Sequence, residues 1–285
     1  QRSLVGSEMC IRDRRNPTAA FDTLRAENPA LYVSLRDQFI PAMEYTYTYD
    51  NASVRGKRNP IWWQTTVASA GNLTSAVYRI FGKPFSEEGK KLFGVPFAQF
   101  LKLNSEFRYH YRIDKNQMIA SRIAGGVIWS YGNATTAPYT EQFYIGGANS
   151  VRAFSARSIG PGSYHNNVDG NGYYDQTGTF RFEMNAEYRF PIVSVLKGAV
   201  FVDAGNIWLL KDDPMRSGGT LNSNFFRELA LGTGLGLRLD MGMIVVRADL
   251  GVGLHLPYDT GKSGYYNIGR FKDSLALNLA IGYPF

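Results

Sequence analysis

The chain has 285 residues, room for one large domain or two small ones, with a net charge of +7 and a mean hydropathy of −0.24. No apolar run reaches the length of a transmembrane helix, which leaves open a membrane β-barrel, whose alternating strands average to mild hydropathy. The single Cys10 excludes a disulfide framework, and His110, His165 and His255 share no ligand spacing, so neither metal nor cofactor is expected.

Residues 1–14 (QRSLVGSEMCIRDR) show neither an h-region nor strand alternation. They read as an unstructured sequencing-adapter or cloning scar, which makes 15–285 the C-terminal portion of something longer. Residues 18–37 read as one or two short helices broken at Pro29. Strands then begin. In QFIPAMEYTYTYD, Phe39, Met43, Tyr45, Tyr47 and Tyr49 alternate with polar residues, and the polar turn NASVRGKRN follows. A strand over 60–71 carries Trp62 and Trp63, with either facing open. Residues 72–94 read as a long loop with FGKPFSEEGKKLFG as its polar centre.

Alternation resumes over 95–112, with Phe97, Leu101, Leu103, Phe107, Tyr109 and Tyr111 on one face, and again over 117–131. The longest connection, 132–178, is rich in Gly, Asn, Ser and Tyr. After it, TFRFEMNAEYRF sets Phe180, Phe182, Met184, Ala186, Tyr188 and Phe190 against Arg181, Glu183, Asn185, Glu187 and Arg189. Five polar residues on one face, four of them charged, are very costly in a dry core and natural in a wet barrel lumen. Further strands fall at about 198–208, 227–240, 243–254 and 274–285, making nine. Their connections alternate short and long, as turns and extracellular loops do in outer-membrane barrels. The last strand, SLALNLAIGYPF, alternates to its end, with Leu275, Leu277, Leu279, Ile281, Tyr283 and Phe285 facing lipid.

The fold class expected is therefore all-β: an antiparallel transmembrane β-barrel with long extracellular loops. An aromatic fraction of 14% suits interfacial girdles. The positive charge suits anionic outer-membrane lipids. No basic run interleaved with aromatics marks a nucleic-acid groove, so no nucleic-acid partner is expected.

Two segments carry candidate function. The long loop contains YIGGANSVRAF (Tyr144–Phe154), and the 198–208 strand contains Phe201-Val202-Asp203-Ala204-Gly205. An arginine in a Gly-rich loop and an aspartate facing the lumen are candidate partners, since guanidinium holds carboxylate with two hydrogen bonds. Inward Gly232, Gly234, Gly236, Gly251 and Gly253 leave room for another backbone, or ease barrel curvature.

IGGANSVRAF resembles the loop segment of the BamA/TamA-type surface-antigen superfamily, whose core reads V-R-G-F, and FVDAG resembles its aromatic-x-Asp-x-Gly motif. The motifs occur in the family's topological order. The resemblance implies a sixteen-stranded barrel with the arginine loop between the eleventh and twelfth strands. The present nine then correspond to the eighth through sixteenth, a truncated barrel, with seven strands and periplasmic POTRA domains expected before them. It implies that Gly146, Gly147, Val151, Arg152, Ala153 and Phe154 form the lumen loop motif. Asp203 would accept from Arg152 on a wall that includes Phe201 and Gly205, with Glu187 as second carboxylate and Glu183 as the alternative. Ala153 replaces the family's glycine and would be strained if that position needs a positive φ. The terminal strand, with Gly282 and Phe285, would form one side of a seam.

The function implied is non-enzymatic: assembly or insertion of outer-membrane proteins, or polypeptide translocation, by templating substrate strands at the seam. Partners implied are lipids, substrate outer-membrane or secreted polypeptides, and periplasmic or lipoprotein accessory subunits. The alternatives are a passive pore or receptor with a constriction loop, and a secreted β-sandwich adhesin.

Overall fold

A computed structural model describes residues 38–52, 59–165 and 176–285. The expectations for residues 1–14, for helices over 18–37 and for most of the turn after Asp50 lie outside the described residues. Nine strands form one antiparallel sheet: β1 (Ala42–Asp50), β2 (Ile61–Ala70), β5 (Phe100–Arg112), β6 (Met118–Ser130), β7 (Phe180–Val193), β8 (Leu196–Trp208), β9 (Ala230–Asp240), β10 (Val245–His255) and β11 (Leu275–Ile281). They pair in chain order without a crossover. Such a meander needs only hairpin connections, and its ladders run between adjacent strands, interrupted by irregularities at Pro191–Val193 and Gly253–His255. No described helix is long and apolar enough to cross a membrane.

Period-two patterning explains the facing. Along β7 the buried positions are Glu183, Asn185, Glu187 and Arg189, while Met184, Ala186 and Tyr188 lie outside. On β8 to β11, Val200, Val202, Leu235, Leu237, Leu250, Leu277 and Leu279 are exposed on the outer face. Charge inside and aliphatic surface outside invert the water-soluble arrangement and match a barrel wall in lipid. The adjacent tryptophans on β2 divide: Trp63 pairs outward with Phe107, and Trp62 lies under the Arg108 guanidinium at 4.2 Å.

The sheet curls. Arg189 on β7 donates to the Phe285 carbonyl at 3.2 Å, and its guanidinium lies 4.3 Å from the Tyr283 ring. In a flat sheet, β7 and β11 would stand about 19 Å apart. The space enclosed is filled by the described parts of the β6–β7 connection, residues 131–165 and 176–179. Its Phe143, Ile145, Val151 and Ile159 form the core with Phe100, Ile128, Ile207 and Ala230 of the wall. No second sheet layer covers the strands among the described residues, so the sandwich reading fails.

Four expectations need correction. Residues 72–94 are not all loop: they contain α1 (Asn72–Ile80) and the start of a hairpin, β3 (Lys91–Leu92) with β4 (Val95–Pro96). Apolar residues at helical spacing, 73, 77 and 80, outweigh the local polarity. Phe97 is fully buried before β5 begins, rather than facing lipid. Phe39 is outside β1, in an isolated bridge to Phe97. Finally, β11 ends at Ile281. Gly282 takes φ +87, Pro284 has no N–H to continue a ladder, and Phe285 turns inward to 6% exposure. Phe285 therefore faces the lumen, not lipid.

Ile123→Arg, at a half-exposed outward position of β6, is expected to destabilise the folded protein in bilayers by about 2–4 kcal/mol. Met243→Arg, in the β9–β10 turn, should stay within about 0.5 kcal/mol. Denaturant unfolding of reconstituted protein measures both; equal effects would contradict a lipid-facing β6.

Candidate functional site: a loop anchored in the lumen

Strand register sets three inward rows side by side. The first is Asn185, Asp203, Gly232 and Gly253; the second is Glu187, Phe201, Gly234, Gly251 and Ala276; the third is Arg189, Ala199, Gly236, Asp249 and Asn278. In the first two rows acids and one aromatic ring stand on β7 and β8, and a floor of glycines without side chains runs over β9 and β10. A backbone can lie on that floor. A Cβ on Gly251 would come within 2.8 Å of Ala153 Cα and the Arg152 carbonyl oxygen, and one on Gly232 within 2.3 Å of Ala153 Cβ.

The loop reaches this floor through a tight reversal. Gly146 and Gly147 take φ +94 and +84, and the Gly147 N–H donates to the Phe154 carbonyl at 2.7 Å, closing the segment that carries Val151, Arg152 and Ala153. A Cβ on Gly146 would strike the Ser155 carbonyl at 2.2 Å. Val151 enters the core cluster, and Phe154 packs against it. Ala153 is not among the positive-φ residues, so alanine is unstrained there.

Arg152 has no exposed surface. Its Nε donates to Asp203 Oδ2 at 2.7 Å and its Nη2 to Oδ1 at 2.9 Å, a two-pronged grip, and its backbone N–H donates to Oδ2 at 3.1 Å. Its Nη1 donates to Glu187 Oε2. The guanidinium lies 3.6 Å from the Phe201 ring centroid, and the inward-turned Phe285 ring is 5.9 Å away. Burial alone would lower the Arg152 pKa. Hydrogen bonds and charge from Asp203 and Glu187 outweigh it, and the net shift is upward, so the cation persists at any physiological pH.

Glu183 serves the loop differently. It accepts from the Ser150 hydroxyl at 2.7 Å and faces Arg122, which also donates to the Asn149 carbonyl at 3.0 Å. Gly205 lies opposite it, where a Cβ would stand 2.9 Å from the Phe182 carbonyl oxygen. Of the predicted residues, Arg152, Asp203, Glu187, Phe201 and Phe285 converge on one point. Glu183 lies beside it, and Gly282 contributes a bend at the rim.

Several further groups belong to the network and were not assigned roles from sequence. Arg238 bridges Glu187 at 3.0 Å and Asp249 at 2.5 Å, and Arg247 pairs with Asp249 at 3.1 Å while donating to the Ala148 carbonyl at 2.9 Å. Arg189 donates to Glu187 Oε1 at 2.7 Å, and Asn278 donates to the Arg152 carbonyl at 2.8 Å. Parity was the available signal: Arg238 shares the inward face of Gly232, Gly234 and Gly236, and Arg247 and Asp249 share that of Gly251 and Gly253. The network sets Arg152, Arg189, Arg238 and Arg247 against Glu187, Asp203 and Asp249, so each of these three carboxylates meets a guanidinium.

An aliphatic outer face, a charged lumen and a long loop locked inside it define the class: an outer-membrane β-barrel with an internally anchored loop. The Omp85 superfamily domain model matches residues 91–272. The chain belongs to the Omp85 superfamily, and its place is the bacterial outer membrane. It is similar to the outer membrane protein assembly factor BamA of Nitratidesulfovibrio vulgaris, 28% identical over 199 residues, covering 68% of this chain and 22% of that protein. It is also similar to BamA of Neisseria meningitidis serogroup B, 30% identical over 88 residues, covering 29% of this chain and 11% of that protein. In fold it resembles the crystal structure of BamA from Haemophilus ducreyi lacking POTRA domains 1–3, with a TM-score of 0.53 at 15% identity, over 85% of this chain and 42% of that one. The chain thus spans about a fifth of the length of the first of these relatives.

Removing one partner of a buried pair leaves an orphan charge, so Arg152→Ala should cost about 3–5 kcal/mol in denaturant unfolding. Gly251→Val should press on the loop backbone and release it while β9 and β10 remain paired. Limited proteolysis should then cut the 131–179 segment faster than in the parent; unchanged cleavage would mean that the loop does not rest on that floor.

Proposed function

We propose that this chain is the C-terminal portion of a barrel that inserts outer-membrane proteins or passes polypeptides across the outer membrane, without catalysis and without a cofactor. The observation that carries the reading is the grip of Asp203 and Glu187 on Arg152. It stiffens the lumen wall from β7 to β11 from within. The edge of β11 is then left as the part of the wall free to change partners. Among the described residues β11 pairs on one side only, with β10. Its ladder stops at the Gly282 N–H, which donates to the Val245 carbonyl at 2.7 Å, and the chain beyond bends into the lumen. A short edge of unpaired N–H and C=O groups is a template for an incoming strand, by β-augmentation. In lipid, an incoming strand gains most by pairing there, since it has no water to satisfy its backbone.

The proposed partners are outer-membrane lipids, substrate outer-membrane or secreted polypeptides, and periplasmic or lipoprotein accessory subunits. Support for the assembly reading over a passive pore is the position of the loop's Asn149–Arg152 stretch, which lies against the wall through buried charge, from Arg122 on β6 to Asn278 on β11.

A photoactivatable residue placed at Leu277 on β11, in protein inserted in membranes, is expected to crosslink the terminal strand of an outer-membrane client while that client assembles. Steady ion conductance with no client crosslink would favour the pore instead.

A further inference from the structure

α1 is inside out for a helix in water. Its packed residues are small or polar. The Asn72 amide oxygen accepts from the Tyr131 hydroxyl at 2.8 Å, and the buried Ser75 donates to Gln99 Oε1 at 2.9 Å and accepts from the Lys90 ammonium at 3.1 Å. Its exposed large apolar residues are Leu73, Val77 and Ile80, continued past the helix end by Phe81, with Ala76 and Arg79 also exposed. At 3.6 residues per turn these lie on the side opposite Asn72, Ser75 and Tyr78. Ile80 is 82% exposed.

The β3–β4 hairpin repeats the theme. Its two-residue turn, Phe93-Gly94, has φ +51 and +81, and Phe93 is 88% exposed. A left-handed backbone disfavours a bulky side chain, and an aromatic tip in water gains nothing by it. The Tyr78 hydroxyl donates to the Lys91 carbonyl, so helix and hairpin form one platform.

We propose that this platform lies in the membrane interface at the long-loop rim, with Leu73, Val77, Ile80, Phe81 and Phe93 in the acyl boundary of the outer leaflet. Continuity with the lipid-facing wall carries the assignment. α1 starts at Asn72, two residues after β2 ends, and the outward residues nearest this rim, Val67, Leu101 and Trp129, are exposed apolar groups of the same belt. Trp129 is at the depth where an indole sits with one end dry. Charge agrees: Arg79 in the last helical turn and Lys83 just beyond it flank the apolar face, as on interfacial helices that meet anionic headgroups. The helix is about 13 Å long, too short to span and long enough to lie flat.

The test is fluorescence with depth-resolved quenching. In a Cys10→Ser background, Ile80→Cys and, separately, Phe93→Cys are labelled with an environment-sensitive nitrobenzoxadiazole. The full chain is reconstituted in phosphatidylethanolamine–phosphatidylglycerol vesicles containing a lipid with a shallow nitroxide. Both labels are expected to emit blue-shifted light and to be quenched by the nitroxide, like a reference label at Leu277→Cys on the lipid face. Water-like emission matching a label at Met243→Cys in the β9–β10 turn would overturn the proposal. So would a blue shift without nitroxide quenching, which would show the face covered by protein, either this chain's preceding segment or a second copy.

Discussion

A guanidinium with no contact with water dictates where its neighbours must stand. Arg152 meets the Asp203 carboxylate with two side-chain hydrogen bonds and one from its own backbone, and meets Glu187 with another. Each acid is on a different strand, and Phe201, whose ring lies under the guanidinium, is Glu187's cross-strand partner. Buried ion pairs add little net stability over apolar packing of equal volume, but separating the partners leaves an uncompensated buried charge. Their effect here is to specify one position for the Gly146–Phe154 segment of the loop, which would otherwise have many.

That specification needs space as well as charge. The glycines of β9 and β10 supply it, and they alternate with lipid-facing leucines and valines on the same strands. One period-two pattern therefore does two jobs: it presents aliphatic surface outward and a bare backbone inward. The loop in turn fills the lumen with an apolar core of its own, so that the wall, which has lipid on one side, is packed on the other.

How much of this was legible depended on the period of each segment. Alternation marked the nine strands because lipid and lumen impose opposite chemistry on successive residues, and Glu183 to Arg189 showed it most clearly. Arg152 and Asp203 stood out because each is a lone charge among glycines and apolar residues. The wider network of Arg238, Arg247 and Asp249 was harder to see. Its members sit at strand positions whose partners depend on register, which no local pattern reveals. α1 was missed because its apolar spacing occupies only nine residues beside a long polar stretch. The terminal bend was missed because Tyr283 and Phe285 keep strand parity after Gly282 has left strand geometry; a positive φ is invisible to alternation. Tryptophans at 62 and 63 were ambiguous for a simple reason: adjacent residues must face opposite ways, and both faces of β2 accept an aromatic ring.

The most direct measurement of the central claim is a double-mutant cycle on Arg152→Ala and Asp203→Ala, read by denaturant unfolding of the membrane-inserted protein. If the arginine and the acid form one buried unit, either change alone removes most of the effect and the pair is strongly non-additive, with a coupling of about 1.5 kcal/mol or more. Additivity within about 0.5 kcal/mol would mean that the two side chains act independently, and the loop would have to be held in the lumen by something else.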